Sequence, residues 1–135
     1  MKSFVEFITE TNRDDVEYPL AGPYVDGREV VEGVSNTNSI SASFYQYKIL
    51  QGIREVPLSE FEPVTFNSKS DNERVRELAN QIESNNMIMA LIVVVDSEDG
   101  PYVLEGAHRL AALQLLGANS LPALVVIDMD DTENV

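Results

Sequence analysis

Between residues 70 and 85 the chain reads "SDNERVRELANQIESN", and Val75, Leu78, Ala79 and Ile82 recur at the steps of one helical face. Ser70 or Asp71 is the N-cap that this pattern predicts, and Glu73 puts negative charge in the first turn, where it suits the helix dipole. The next run, "ALIVVVD", is β-branched with no polar face, as in a strand buried on both sides. "SEDG" then marks a turn, and "YVLE" reads as the returning strand of a hairpin. From His108 to Leu116 the residues are apolar almost all round, which predicts a short buried helix. Gly106 permits a tight strand-to-helix turn in front of it, and Gly117 stands where a C′ glycine belongs. "SLPALVVID" is the last predicted strand, and "DMDDTENV" an acidic, frayed tail.

Upstream the pattern weakens. "GIREVPLSEF" predicts a short strand ended by Pro57. "SFVEFITE" places Phe4, Phe7 and Ile8 at the spacing of a short amphipathic helix. The stretch "NRDDVEYPLAGPYVDGREVVEGVSNTNSISAS" mixes Pro, Gly, Asn and Ser with little periodicity, so loops and at most one short strand are expected there. Long irregular stretches of this kind are usually functional or mobile. The predicted organisation is an irregular arm over residues 1–50, one compact α+β domain over 51–128, and an acidic tail over 129–135.

Composition narrows the function classes. The 135 residues match one domain with a single core, and 44% hydrophobic with 24% charged residues is a globular balance. Without cysteine there is neither a disulfide framework nor a thiolate metal site, and one histidine argues against zinc, so no metal-ligating residues are assigned. No apolar run approaches a membrane span, and "MKSFVEFITE" lacks a signal-peptide core; a cytoplasmic protein with no membrane partner is expected. The formal charge of −14 supplies few cations for phosphate neutralisation, so no direct binding of duplex DNA is expected of this chain alone.

That charge makes "EGAHRL" conspicuous. The first turn of a helix offers unpaired amides and the positive end of the dipole, and Gly106 lets a ligand approach the backbone closely. Arg109 adds a planar fork matched to phosphate or carboxylate, and His108 donates a hydrogen bond or titrates near neutrality. A cationic side chain at a helix N-terminus is unfavourable without a compensating anion. Two sources of that anion are open: a bound phosphate, or Glu105 pairing with Arg109 while His108 bonds a backbone carbonyl.

The linked text "VPLSEFEPV" and "NERVRELANQIESNNMIMALIVVVDSEDGPYVLEGAHRLAALQLLGANSLPALVV" resembles the ParB/sulfiredoxin-like superfamily, over residues 53–127. The resemblance implies a mixed sheet with two main helices and a Gly-x-(His/Arg)-Arg turn that binds nucleotide phosphates. On it, Gly106, Ala107, His108 and Arg109 are cofactor-binding residues, joined by Arg74 and Gln81 from the preceding helix. Residues 74, 77 and 81 share a stripe beside the apolar face, where Glu77 departs from the family pattern and could instead pair with Arg74. The implied ligand is ATP or another nucleoside triphosphate with Mg²⁺.

The departures matter. Ala107 stands where sulfiredoxins carry their cysteine, which excludes that chemistry, and Ala90 stands where the family often has Pro. The partition protein ParB has an Arg-rich version of the turn and continues into DNA-binding and dimerisation parts; a chain ending soon after Ile127 is not expected to be a complete partition protein. Free serine kinases carry an acid directly before the Gly, and Glu105 fits it, so Glu105 and His108 are the candidate catalytic residues. Their second acid has only Glu62 as a candidate here.

Three functions follow from the resemblance: ATP-dependent phosphotransfer to a small hydroxyl-bearing molecule or nucleotide hydrolysis, a non-catalytic regulatory or protein-interaction module with the same anion site, and, weakest, a ParB-like nuclease. "MKSFVEF" resembles the N-termini of proteins from large tailed phages, favouring a bacterial or phage-infected host.

Overall fold

The computed structural model describes residues 18–34, 37, 38, 40, 47–95 and 101–128. The expected helix around Phe4 and Phe7, most of "NTNSISAS", the "SEDG" turn and the acidic tail lie outside them. The strands are β1 (Tyr24–Val25), β2 (Arg28–Val34), β3 (Tyr47–Ile49), β4 (Arg54–Pro57), β5 (Met87–Val95), β6 (Tyr102–Glu105) and β7 (Ser120–Asp128). Helix α1 spans Lys69–Asn85 and α2 spans Ala107–Leu115. The architecture is α+β around one seven-stranded mixed sheet.

β5 and β7 form its centre, running parallel with Leu91 opposite Ala123 and Val95 opposite Ile127. Each has two short strands in tandem along its other edge. β5 pairs with β2 through Met87–Ala90 and with β6 through Ile92–Val94. β7 pairs with β4 near Ser120–Ala123 and with β3 near Val126–Asp128. Both central strands are apolar at consecutive positions because both faces are covered. Leu91, Val93, Leu121, Ala123, Val125 and Ile127 pack toward the helices with Val75, Ala79, Ile82, Leu110 and Leu113. Ile92, Val94 and Val126 form a second cluster with Ile40.

The helix starts differ from expectation in detail. α1 begins two or three residues earlier than Ser70 or Asp71 as N-cap would place it. Ser68 is the cap, and its Oγ accepts the Asp71 N–H at 3.0 Å, because a hydroxyl in extended backbone reaches an amide three residues on. The first-turn acid is accordingly Asp71 rather than Glu73. α1 ends at Asn86, which adopts the left-handed conformation at φ 55°. Its carbonyl accepts from Glu29 N and its side chain donates to Gly27 O, tying the helix end to the β1–β2 turn.

The described part of residues 1–50 holds more strand than the loops and one short strand expected there. Three strands lie there, and Tyr18, Val25, Ile40 and Leu50 are buried. Segment 19–21 runs along β4, with Ala21 N donating to Ile53 O and Glu55 N to Pro19 O, before entering β1. Asn119 N, just ahead of β7, donates to Asp26 Oδ2 at 2.8 Å, and the Asp26 carboxyl is held below its usual range chiefly by that backbone bond. These strands are short or broken, with a register shift between Val31 and Val34 around Gly33, so their pairing comes from the central sheet rather than from local pattern.

Candidate functional site

β6 feeds α2 through a single residue. Gly106 has φ 111° and ψ 25°, a conformation that favours glycine, and a Cβ there would lie 2.8 Å from Cγ of the buried Leu91. No side chain caps α2, and Leu110 N to Gly106 O, 2.9 Å, is the bond that starts its backbone ladder. The amides ahead of Leu110 therefore project from the helix end rather than into the ladder. In front of them lies a cleft of about 490 Å³, lined by Arg74 and Leu78 of α1, Leu104 and Glu105 of β6, and Gly106–Arg109.

Arg109 is the braced cation of this cleft. Its Nη1 donates to Met89 O at 2.8 Å and Ala90 O at 3.1 Å, at the end of the β5 stretch that pairs with β2 and just before the pairing with β7 begins at Leu91. Burial lowers its ionisation range, and the negative charge of Glu105 acts in the opposite direction. Of the two anions considered for this residue, Glu105 acts on it within the fold, and the Met89 and Ala90 carbonyls, which the sequence did not suggest, add to it. The guanidinium is oriented before any ligand arrives.

His108 is fixed from α1. Its Nε2 lies 2.9 Å from Asp71 Oδ1, and its ring stacks on Phe66 with centroids 4.5 Å apart and planes 5° apart. Its partner is therefore a carboxylate, and not the backbone carbonyl that one of the two alternatives gave it. Asp71 Oδ2 accepts from Ser68 Oγ at 2.8 Å, and the His108 and Ser68 bonds together hold its carboxyl below the usual range.

Six of the seven candidate residues, Arg74, Glu105, Gly106, Ala107, His108 and Arg109, meet at this one cleft. Gln81 does not line it and is exposed on α1. Glu77 pairs with Arg74 at 3.0 Å in an exposed i, i+3 bridge. Glu62 is exposed on the loop before α1 and lies outside the cleft lining, its carbonyl accepting from Gln114 Nε2. Asp71, which the sequence suggests only as a possible N-cap, and Phe66, which it does not mark, are the site residues that sequence reasoning misses. The signal for Asp71 was its spacing, since 71, 74 and 78 form the stripe of α1 that meets α2, one turn ahead of 74, 77 and 81.

Among the described residues, no three His, Asp or Glu converge on a possible metal position, and no helix is long and apolar enough to cross a membrane. Comparison with known proteins gives a consistent result. The ParB N-terminal domain family matches residues 44–135. A nucleoid occlusion protein of Geobacillus sp. (strain WCH70) is 34% identical over 76 residues, which are 54% of this chain and 27% of that protein. One from Halalkalibacterium halodurans is 32% identical over 76 residues, 54% of this chain and 26% of its own length. The chain spans about a quarter of the length of these relatives.

Proposed function

Given that the chain belongs to the ParB N-terminal domain family, we propose that the cleft before α2 binds the phosphates of a nucleoside triphosphate. One observation carries this reading. In a chain of formal charge −14, Arg74, His108 and Arg109 meet at an uncapped helix start preceded by a glycine. Helix-end amides and a pre-oriented guanidinium are the donor set that phosphate oxygens accept from. Glu105 would face a phosphate-bound Mg²⁺, a hard cation that takes one or two carboxylates besides phosphate oxygens, and the ion would neutralise ligand charge. The proposed role is a nucleotide-responsive module.

Phosphotransfer to a small hydroxyl-bearing molecule, or nucleotide hydrolysis, is a second reading, favoured by Glu105 lining the same cleft as His108. Glu105 would take the acceptor's proton. The experiment is a thermal-shift series with ATP, CTP and GTP plus Mg²⁺, followed by nucleotide consumption with and without hydroxyl acceptors. Binding at a hundredfold excess over Kd stabilises by about 2.7 kcal/mol. Binding without turnover leaves the module; no shift with any nucleotide overturns both readings. The same charge supports a further expectation, that the chain alone does not hold duplex DNA at physiological salt. A gel shift that persists above about 150 mM salt would contradict it.

A further inference from the structure

The bond between His108 and Asp71 decides what the imidazole can offer an anion. An ionised carboxylate only accepts hydrogen bonds, so a ring nitrogen 2.9 Å from Asp71 Oδ1 must carry a proton. Phe66 fixes the plane of the ring, and Asp71 fixes which way round it lies in that plane. With the proton on Nε2, the neutral ring has a bare lone pair on Nδ1. A phosphate or sulfate oxygen also presents lone pairs. Nδ1 can bond such an oxygen only when it is protonated as well, in the imidazolium form.

We infer that the Asp71–His108 pair makes anion binding in this cleft proton-linked: the anion enters with one solvent proton, which goes onto His108 Nδ1, and leaves as pH rises. The inference rests on the phosphate-binding reading of the cleft. Asp71 is a positioning residue here, acting through the tautomer it imposes. The charged groups set around His108 are Asp71 and Arg74 from α1, Glu105 from the end of β6, and Arg109 from its own helix; the preceding loop contributes the uncharged Phe66 and Ser68. Both arginines keep their charge across neutral pH, so they supply the part of the affinity that does not vary.

The chain has one histidine, so its two ring-nitrogen NMR signals need no assignment by mutation. The probe is sulfate, which has no ionisation of its own near neutrality. We expect the neutral ring of the full chain to be the Nε2–H tautomer. Sulfate affinity should fall with rising pH, by up to about tenfold per pH unit. In Asp71→Asn the amide can donate to Nε2, the other tautomer becomes accessible, and the slope should flatten. An Nδ1–H tautomer in the unliganded protein overturns the inference whatever binds. Sulfate binding with a flat pH profile, or an unchanged slope in Asp71→Asn, overturns it while leaving the phosphate cleft standing. Failure of sulfate, pyrophosphate and ATP to perturb the cleft at any pH removes the phosphate-binding reading, and this inference with it.

Discussion

The two helices begin in opposite ways. α1 is closed by its own chain, with Ser68 receiving the Asp71 amide and Asp71 in turn receiving Ser68 and His108. α2 begins at a glycine with no capping side chain, and its first turn opens onto a cleft. A capped start contributes to stability, whereas an open one leaves the dipole and amides available to an anion. Local pattern alone does not distinguish a start closed by its neighbours from one left open. The arrangement of the neighbours does.

Breaking the open start should have the largest effect. Gly106→Ala forces a Cβ to 2.8 Å from Leu91 Cγ, in a buried core, on a backbone with φ 111°. A loss of about 3 kcal/mol is expected from overpacking and left-handed strain together, measured by urea unfolding. A stability within experimental error of the parent would mean that the turn relaxes without cost. Arg109→Ala comes next and acts on two observables. Sulfate or nucleotide binding should weaken by about 1.5–3 kcal/mol, and the fold should lose about 1–3 kcal/mol because the Met89 and Ala90 carbonyls lose their donor. Weaker binding with unchanged stability would assign the guanidinium to the ligand alone.

The cap of the closed start, as distinct from Asp71, should respond mainly in stability. Ser68→Ala removes the cap and should cost about 1 kcal/mol in thermal or urea unfolding, with sulfate affinity near that of the parent. The smallest effect concerns acid. The folded Asp71 carboxyl lies below its ordinary value, so its contribution is complete above the unfolded range and disappears as pH falls through the folded one. Unfolding curves of the parent and Asp71→Asn should therefore converge as pH drops below about 4. Curves that separate further in acid would reverse the assigned sign.

From residue 51 onward the order of elements was legible, because helical and strand periods in "NERVRELANQI" and "ALIVVV" agree with the burial that the sheet imposes. β1, β2 and β3 were not. Tyr24–Val25 and Tyr47–Ile49 are too short to show a period, and Gly33 interrupts β2, so their strand state is dictated by β5 and β7. The Gly106–Arg109 turn could be read from residue types alone. The spacing of Asp71 puts it on one stripe with 74 and 78, but which stripe of α1 meets α2 is set by the packing of the two helices, and Gln81 falls outside the cleft for the same reason.

The tandem pairing along β5 and β7 has a bearing on association between chains. These strands carry the most apolar sequence of the domain, and an unpaired edge on either would offer a template to a second chain. Two short strands end to end occupy each outer edge instead, and the strands left outermost are two to four residues long apart from β2. "IVVV" is thereby covered on this edge by β6, as Met87–Ala90 is by β2, and the exposure that matters is the interval before these strands have docked on β5. The sequence that reads as an irregular preface thus covers strand edges that a second chain could otherwise pair with, Met87–Ala90 through β2 and Val126–Asp128 through β3.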